Sequence, residues 1–235
     1  MRTLVMKFGG TTLARTEGLT QLVGIVLYER ERWDRLMLVV SALEGVTDQL
    51  IDAAHLAQFA QQRGYRRIVS NLRQRHLALA ESLPLDQNER SVLQANIDTL
   101  LSDLLAMCES LGGASEGQAA SDSFDAIIGV GERLTARFVA ALLRHSGLRS
   151  VALDTTELII TDNVRANANP DMEATRARME TQLLPMLERG IMPVLTGFIG
   201  ATTTGKPTTL GRGGSDYTAA ILGVCANATE IWIWT

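Results

Sequence analysis

Cysteine and histidine are scarce in this chain, and what little there is stands apart. Cys108 and Cys225 have no CxxC spacing, and His55, His76 and His145 are scattered. That excludes a disulfide framework and a structural zinc site, and points to a reduced compartment, the cytoplasm. Excess positive charge is also missing. A net charge of −4 and an isoelectric point near 5.5 supply no field for nucleic acid or an anionic membrane. No apolar run is long enough to span a bilayer, and Met1 leads directly into a short apolar strand without the charged and apolar regions of a signal peptide. Internal repeats and low-complexity segments are absent too.

What is present is a chain of 235 residues, 46% apolar, enough for one large domain or two small ones. Leu4 to Phe8 reads as a strand, followed by Gly9–Gly10 and a helical stretch to about Trp33. Arg35 to Ser41 is a short apolar run of the kind a parallel strand buried on both faces requires. Gly45 to Asp48 opens a helix, with Thr47 or Asp48 as its cap. A helical excursion fills 48–112, divided into two or three helices by Gly64 and Pro84 and closed by the Gly112–Gly117 segment.

Strand and helix then alternate. Phe124 to Val130 reads as a strand or a helix end, and Glu132 to His145 as a helix stopped by Gly147. Ser150 to Leu153, Leu158 to Thr161 and Met192 to Thr196 read as strands, with an amphipathic helix over Asp171 to Glu188 ended by Gly190. Ser215 to Cys225 is a further helix, and Ile231 to Trp234 a last, buried strand. Because domains seldom finish inside a buried strand, a fragment is expected. The alternation predicts an α/β fold with a mostly parallel sheet covered on both faces.

Two phosphate-binding patterns fail on inspection. GATTTGKP, Gly200 to Pro207, has the glycines and lysine of a P-loop but Pro207 where a Ser or Thr must hold Mg²⁺, so a glycine hairpin is expected. Gly129 and Gly131 begin a GxGxxG whose third position is Leu134, and close packing explains two glycines before a helix.

The segments that survive all lie where strands end. KFGG places Lys7 before Gly9 and Gly10, VVSALEGVTD places Ser41 and Thr47, GVGERLTARF places Glu132, and TTLGRGGSD places Arg212, Ser215 and Asp216. Ligands bind at the carboxyl ends of strands in open α/β sheets, and glycine turns there let backbone N–H groups approach an anion. Two such turns about two hundred residues apart suggest a single site closed from both sides, suited to phosphoryl transfer.

Taken in order, KFGGT, GE, GFxG and TTLGRGGSD resemble the aspartate kinases of the amino-acid kinase family, over essentially the whole chain. Thr12 stands where that family usually has Ser, and Pro207 interrupts the loop before TTLGRGG. The resemblance implies a three-layer αβα sandwich over 1–235 that is incomplete at its C-terminal end. It also implies transfer of the ATP γ-phosphoryl group to the side-chain carboxylate of L-aspartate, the first step toward lysine, threonine and methionine. ATP and Mg²⁺ are the expected cofactors, with the metal held mostly by phosphates and water. A homo-oligomer is expected for the full-length protein.

The implied roles follow. Lys7 contacts the transferring phosphoryl oxygens, with Phe8, Gly9 and Gly10 beside it, and Thr235 begins the nucleotide-binding segment. Asp216 pairs with Lys7, supports its own helix as a first-turn carboxylate, or does both. Arg212 takes the substrate α-carboxylate and Glu132 the α-ammonium. Ser41, Thr47 and Ser215 surround the side-chain carboxylate, or cap helices. Two alternatives remain open: a sibling kinase for glutamate, acetylglutamate, carbamate or UMP, and a module that binds without turning over.

Overall fold

The fold was analysed in a computed structural model of the chain, which describes residues 1–113 and 118–234. Five strands form one parallel sheet. In chain order the first elements are β1 (Thr3–Phe8), α1 (Gly10–Leu13), α2 (Thr16–Glu29) and β2 (Arg35–Val40). The excursion comprises α3 (Val46–Gln58), α4 (Gln62–Ser82), α5 (Gln87–Gly113) and α6 (Gln118–Ile128), and leads into α7 (Val130–His145). Then come β3 (Ser150–Leu153), β4 (Ile160–Thr161), α8 (Met172–Gln182), α9 (Leu184–Glu188) and β5 (Met192–Thr196). The hairpin β6 (Ile199–Thr202) and β7 (Pro207–Thr209), α10 (Gly214–Cys225) and β8 (Glu230–Trp234) complete the chain.

The main sheet has the order β3-β5-β2-β1-β8, and β4-β6-β7 make a small second sheet. β1 lies inside the main sheet, pairing with β2 and with β8. Its side chains alternate between two cores, as the pleat requires. Leu4, Met6 and Phe8 enter the core shared with α2 and the excursion helices. Val5 enters the core shared with α8, α9 and α10. Lys7 is on Val5's side, so the first lysine of the sequence faces the helix that follows TTLGRGG. Helices on both faces make the three-layer sandwich.

Several elements differ from their sequence reading, each for a local reason. Of the two readings left open for Phe124 to Val130, the helix end holds and the strand does not: α6 runs to Ile128, and Phe124, Ile127 and Ile128 bury at helical spacing in the first core. Gly45 is the N-cap of α3 in a left-handed conformation (φ 73°), with no side-chain cap, so Thr47 and Asp48 fall inside the first turn instead of capping it. Gly64 lies within α4; the break comes earlier, at 59–61.

The helix expected over Asp171 to Glu188 is two helices. Asp171 caps the first through the amides of Glu173 and Ala174, and Pro185 starts a second after Leu183. Leu158 closes a 3-10 turn, Thr155–Glu157, leaving only Ile160–Thr161 as strand. Finally, β8 is an edge strand, not a buried one: Ile231 and Ile233 are 38% and 48% exposed. Of the segment expected to close the excursion, 114–117 lies outside the described residues.

Candidate active site

The carboxyl ends of β1, β2 and β5 fan out beneath one cavity of about 690 Å³, within the usual range for a small-molecule site. Lys7, Ser41, Thr47, Glu132, Arg212, Ser215 and Asp216 all line it. Of the two glycine turns, the second lines the cavity through Gly211, Gly213 and Gly214. The first reaches it only through Lys7: Gly9 and Gly10 are not in the wall, and the Gly9 amide, expected to face phosphate, donates to the Trp234 carbonyl at 2.8 Å.

Lys7 is 6% exposed, and its ammonium lies 2.6 Å from Asp216 Oδ1. That oxygen has no other polar partner. Removing Asp216 would leave a buried charge uncompensated, so Lys7 and Asp216 act as a unit. Asp216 occupies the first turn of α10, where the helix N-terminus also favours a carboxylate. Beyond Lys7 the chain tightens. A Cβ on Gly10 would stand 2.3 Å from the Ala42 carbonyl oxygen, so only glycine allows the first turn to meet the loop after β2. Phe8, expected beside the phosphate, points into the first core and stacks on Trp234 with ring centroids 4.8 Å apart, and it does not line the cavity. Thr235 lies outside the described residues.

Glu132 is brought in by glycine packing. Gly131 sits so close to Ala42 that an added Cβ would approach its methyl to 2.6 Å. This contact sets the first turn of α7 against the loop after β2, and the Ala42 amide donates to Glu132 Oε1 at 3.1 Å. The second carboxylate oxygen is buried without a partner. Burial raises the Glu132 pKa to about 7, opposed in part by the Ala42 amide, its own amide and Arg133. A buried carboxylate with one oxygen unspoken for, lining a cavity, is a seat for a cationic group.

The TTLGRGGSD loop is shaped by left-handed glycines, Gly211 (φ 77°) and Gly213 (φ 74°). Phe198 adopts the same region without being glycine (φ 71°). It is held there by Thr218 Oγ1, which accepts from its amide, and by the Leu210 amide, which donates to its carbonyl. Such outliers gather at ligand sites. Arg212 has no carboxylate within ion-pair distance among the described residues, so its guanidinium is available.

Sequence reasoning missed part of the wall. Ile51 and His55 stand one and two helical steps from Thr47 on the same face of α3, a spacing that was there to be read. Phe124 and Arg165 also line the cavity, and neither belongs to a strand-end motif. Among the described residues there is no group of three His, Cys, Asp or Glu side chains able to hold a metal. The described residues do not by themselves build a Mg²⁺ site.

Comparison with known proteins fits this geometry. The model of the amino acid kinase family matches residues 2–235. The chain belongs to that family. It is 32% identical over 232 residues to the bifunctional aspartokinase/homoserine dehydrogenase 1 of Arabidopsis thaliana, covering 98% of this chain and 25% of that protein. It is 29% identical to the lysine-sensitive aspartokinase 3 of Escherichia coli, covering 99% and 48%. The crystal structure of E. coli aspartokinase III in complex with aspartate and ADP superposes with a TM-score of 0.87 at 29% identity, over all of this chain and 49% of that one. This amino-acid kinase chain thus spans between a quarter and a half of the relatives it matches. GATTTGKP, in the same frame, is the β6–β7 hairpin, and Gly129 and Gly131 serve close packing against Ile199 and Ala42. No described helix is long and apolar enough to cross a membrane.

Proposed function

We propose that this chain is the catalytic domain of an aspartate kinase, moving the γ-phosphoryl group of ATP to the side-chain carboxylate of L-aspartate. The observation that carries the reading is the charge arrangement of one cavity. A buried lysine is held by a carboxylate, a guanidinium is free, and a buried glutamate keeps one oxygen unpartnered. Phosphate, α-carboxylate and α-ammonium each find a complementary group.

The chemistry asks little of a general base, because a carboxylate nucleophile with a pKa near 4 is ionised at neutral pH. The obstacle is bringing an anion to a polyanion. Lys7 neutralises the transferring phosphoryl oxygens, and Asp216 keeps its ammonium aimed. Glu132 and Arg212 orient the amino acid at its α-carbon, and Ser41, Thr47 and Ser215 supply donors around the reacting carboxylate. Mg²⁺ travels with the nucleotide phosphates. The chain spans only part of its relatives, and we assign the rest of the nucleotide pocket and any homo-oligomer contacts to the regions of those relatives that it does not span.

A coupled ADP-release assay on the chain and on a form carried past Thr235, across aspartate, glutamate, acetylglutamate, carbamate and UMP, tests the assignment. Turnover confined to aspartate, higher in the longer form, is expected. Preference for another acceptor overturns the substrate. Binding of ATP and aspartate without turnover in the longer form marks a non-catalytic module.

A further inference from the structure

We infer that Arg165, in the loop between β4 and α8, is a specificity residue that shares the acceptor's α-carboxylate with Arg212. This rests on the aspartate reading and extends it. Arg165 lines the same cavity as Lys7, Glu132 and Arg212. Its guanidinium lies over the Phe124 ring, 4.5 Å from the centroid. Stacking of this kind leaves the edge N–H groups free while limiting the rotamers of a long side chain. Among the described residues no carboxylate comes within 4 Å of it.

The loop that carries it is fixed. Asp162 accepts from the amides of Val164 and Asn169 and from the Asn169 side chain. The Ala168 amide donates to the Thr209 carbonyl at 3.0 Å. Asp125, 3% exposed, joins three elements. Its carboxyl group accepts from Thr209 Oγ1 at 3.3 Å. Burial pushes its pKa up, against which that bond, the Ala166 amide, the Arg165 guanidinium and the Thr209 amide all favour its charged form. The loop also presses on the arginine loop, since a Cβ on Gly211 would lie 3.1 Å from the Ala166 carbonyl oxygen and 2.6 Å from Asn167 Oδ1. Arg165 precedes one of the touching residues and Arg212 follows the other. Two guanidiniums therefore rise from adjoining loops.

Charge complementarity identifies what they read. Of the ionisable groups lining the cavity, Lys7 and Asp216 neutralise each other. That leaves Arg165 and Arg212 against Glu132. With Glu132 ionised against a bound ammonium, Lys7, Arg165, Arg212, Glu132 and Asp216 leave the lining one net positive charge, the complement of an acidic amino acid, whose two carboxylates and one ammonium leave one net negative charge. The reacting carboxylate must face Lys7 and the phosphoryl group, and the α-carboxylate is left for the arginine pair. A planar fork from each side holds a carboxylate more selectively than one alone.

Calorimetric titration of the chain and of its Arg165→Ala form with L-aspartate, L-asparagine and L-isoasparagine tests this. Asparagine keeps the α-carboxylate, and isoasparagine replaces it by an amide. Arg165→Ala is expected to weaken aspartate and asparagine about tenfold and isoasparagine less than twofold, with an unchanged melting temperature because Arg165 is exposed. Arg165→Lys, which keeps the charge but loses the fork, recovers only part of the affinity. Unchanged aspartate affinity in Arg165→Ala, or equal losses for all three ligands, overturns the inference alone. If the unaltered chain binds no aspartate, the aspartate reading fails and this inference fails with it.

Discussion

Arginines gather at both ends of the main sheet, and they do different things there. At the amino end a cavity of about 300 Å³ is lined by Arg30, Arg35 and Arg149, where α2, α7 and α9 also finish. Arg35 pairs with Glu188 at 3.0 Å, and Arg149 donates to the Arg189 carbonyl at 2.8 Å. Cations there satisfy helix C-termini, whose carbonyls and dipoles call for positive charge. At the carboxyl end Arg212 lies in the glycine loop before α10 and Arg165 over Phe124. Among the described residues neither has a carboxylate within 4 Å, although Arg165 is near enough to Asp125 to favour its charged form. A guanidinium among donors, beside a buried carboxylate that is only half used, contributes nothing to the fold that packing could not supply better. The lesson is that counting cations does not find a site. Asking which of them are already spoken for does.

The contrast breaks most decisively at Lys7. If the proposed function holds, Lys7→Ala is expected to cut ADP release about a thousandfold while leaving aspartate binding within a few-fold. Arg35→Ala, at the other end, leaves turnover within about twofold. Comparable losses from both would erase the distinction.

Glu132→Gln comes next. Burial holds the Glu132 pKa near 7 in the folded chain, above its unfolded value near 4.5. The acid form is therefore the one the fold prefers. Stability from this group is full below pH 4.5 and lost as pH rises through 7, up to about 3 kcal/mol. Glu132→Gln should melt higher than the parent at pH 8, equal it near pH 4.5, and bind aspartate at least tenfold more weakly. His76 supplies the opposite slope. It is buried in the excursion with its pKa lowered to about 4, so its stability is present above pH 6.5 and fades as pH falls toward 4. The two nearly cancel in the parent, so thermal melts of Glu132→Gln and His76→Gln against pH should tilt in opposite directions. Parallel tilts would refute both assignments.

Gly131→Ala is a smaller perturbation, about 1–3 kcal/mol, because its methyl must displace Ala42. Aspartate affinity should fall with it, since that contact seats Glu132. Chemical denaturation and titration of the same variant measure the pair, and lost stability with intact affinity would separate packing from site. The least effect belongs to Arg149→Ala. It removes an exposed hydrogen bond to a helix end and should cost under about 1 kcal/mol, with no change in binding.

The strands were legible because β1, β2 and β5 are short, continuous apolar runs bounded by polar turns, which is how a strand buried on both faces must read. Lys7, Glu132, Arg212 and Asp216 were legible because each sits beside a glycine that lets backbones close. Phe124 to Ile128 was ambiguous for a physical reason: a short apolar run fits a buried strand and a buried helix equally, and only its packing against the excursion decides. Arg165 left no trace because its place depends on Asp125 fastening a loop some forty residues downstream. That fastening is tertiary, and no local spacing encodes it. Pro185 was visible in the sequence, yet it marks a helix restart instead of an interior, which depends on Leu183 ending the turn before it.

The alternation along β1 has one more consequence. Leu4, Met6 and Phe8 face oil on one side, while Val5 and Lys7 face the other. Deleting or inserting one residue between Thr3 and Lys7 would swing the ammonium into that oil and push an aromatic ring toward the phosphoryl seat. The buried Lys7 thus opposes slippage of β1, because a misaligned chain would strand an ion in hydrocarbon.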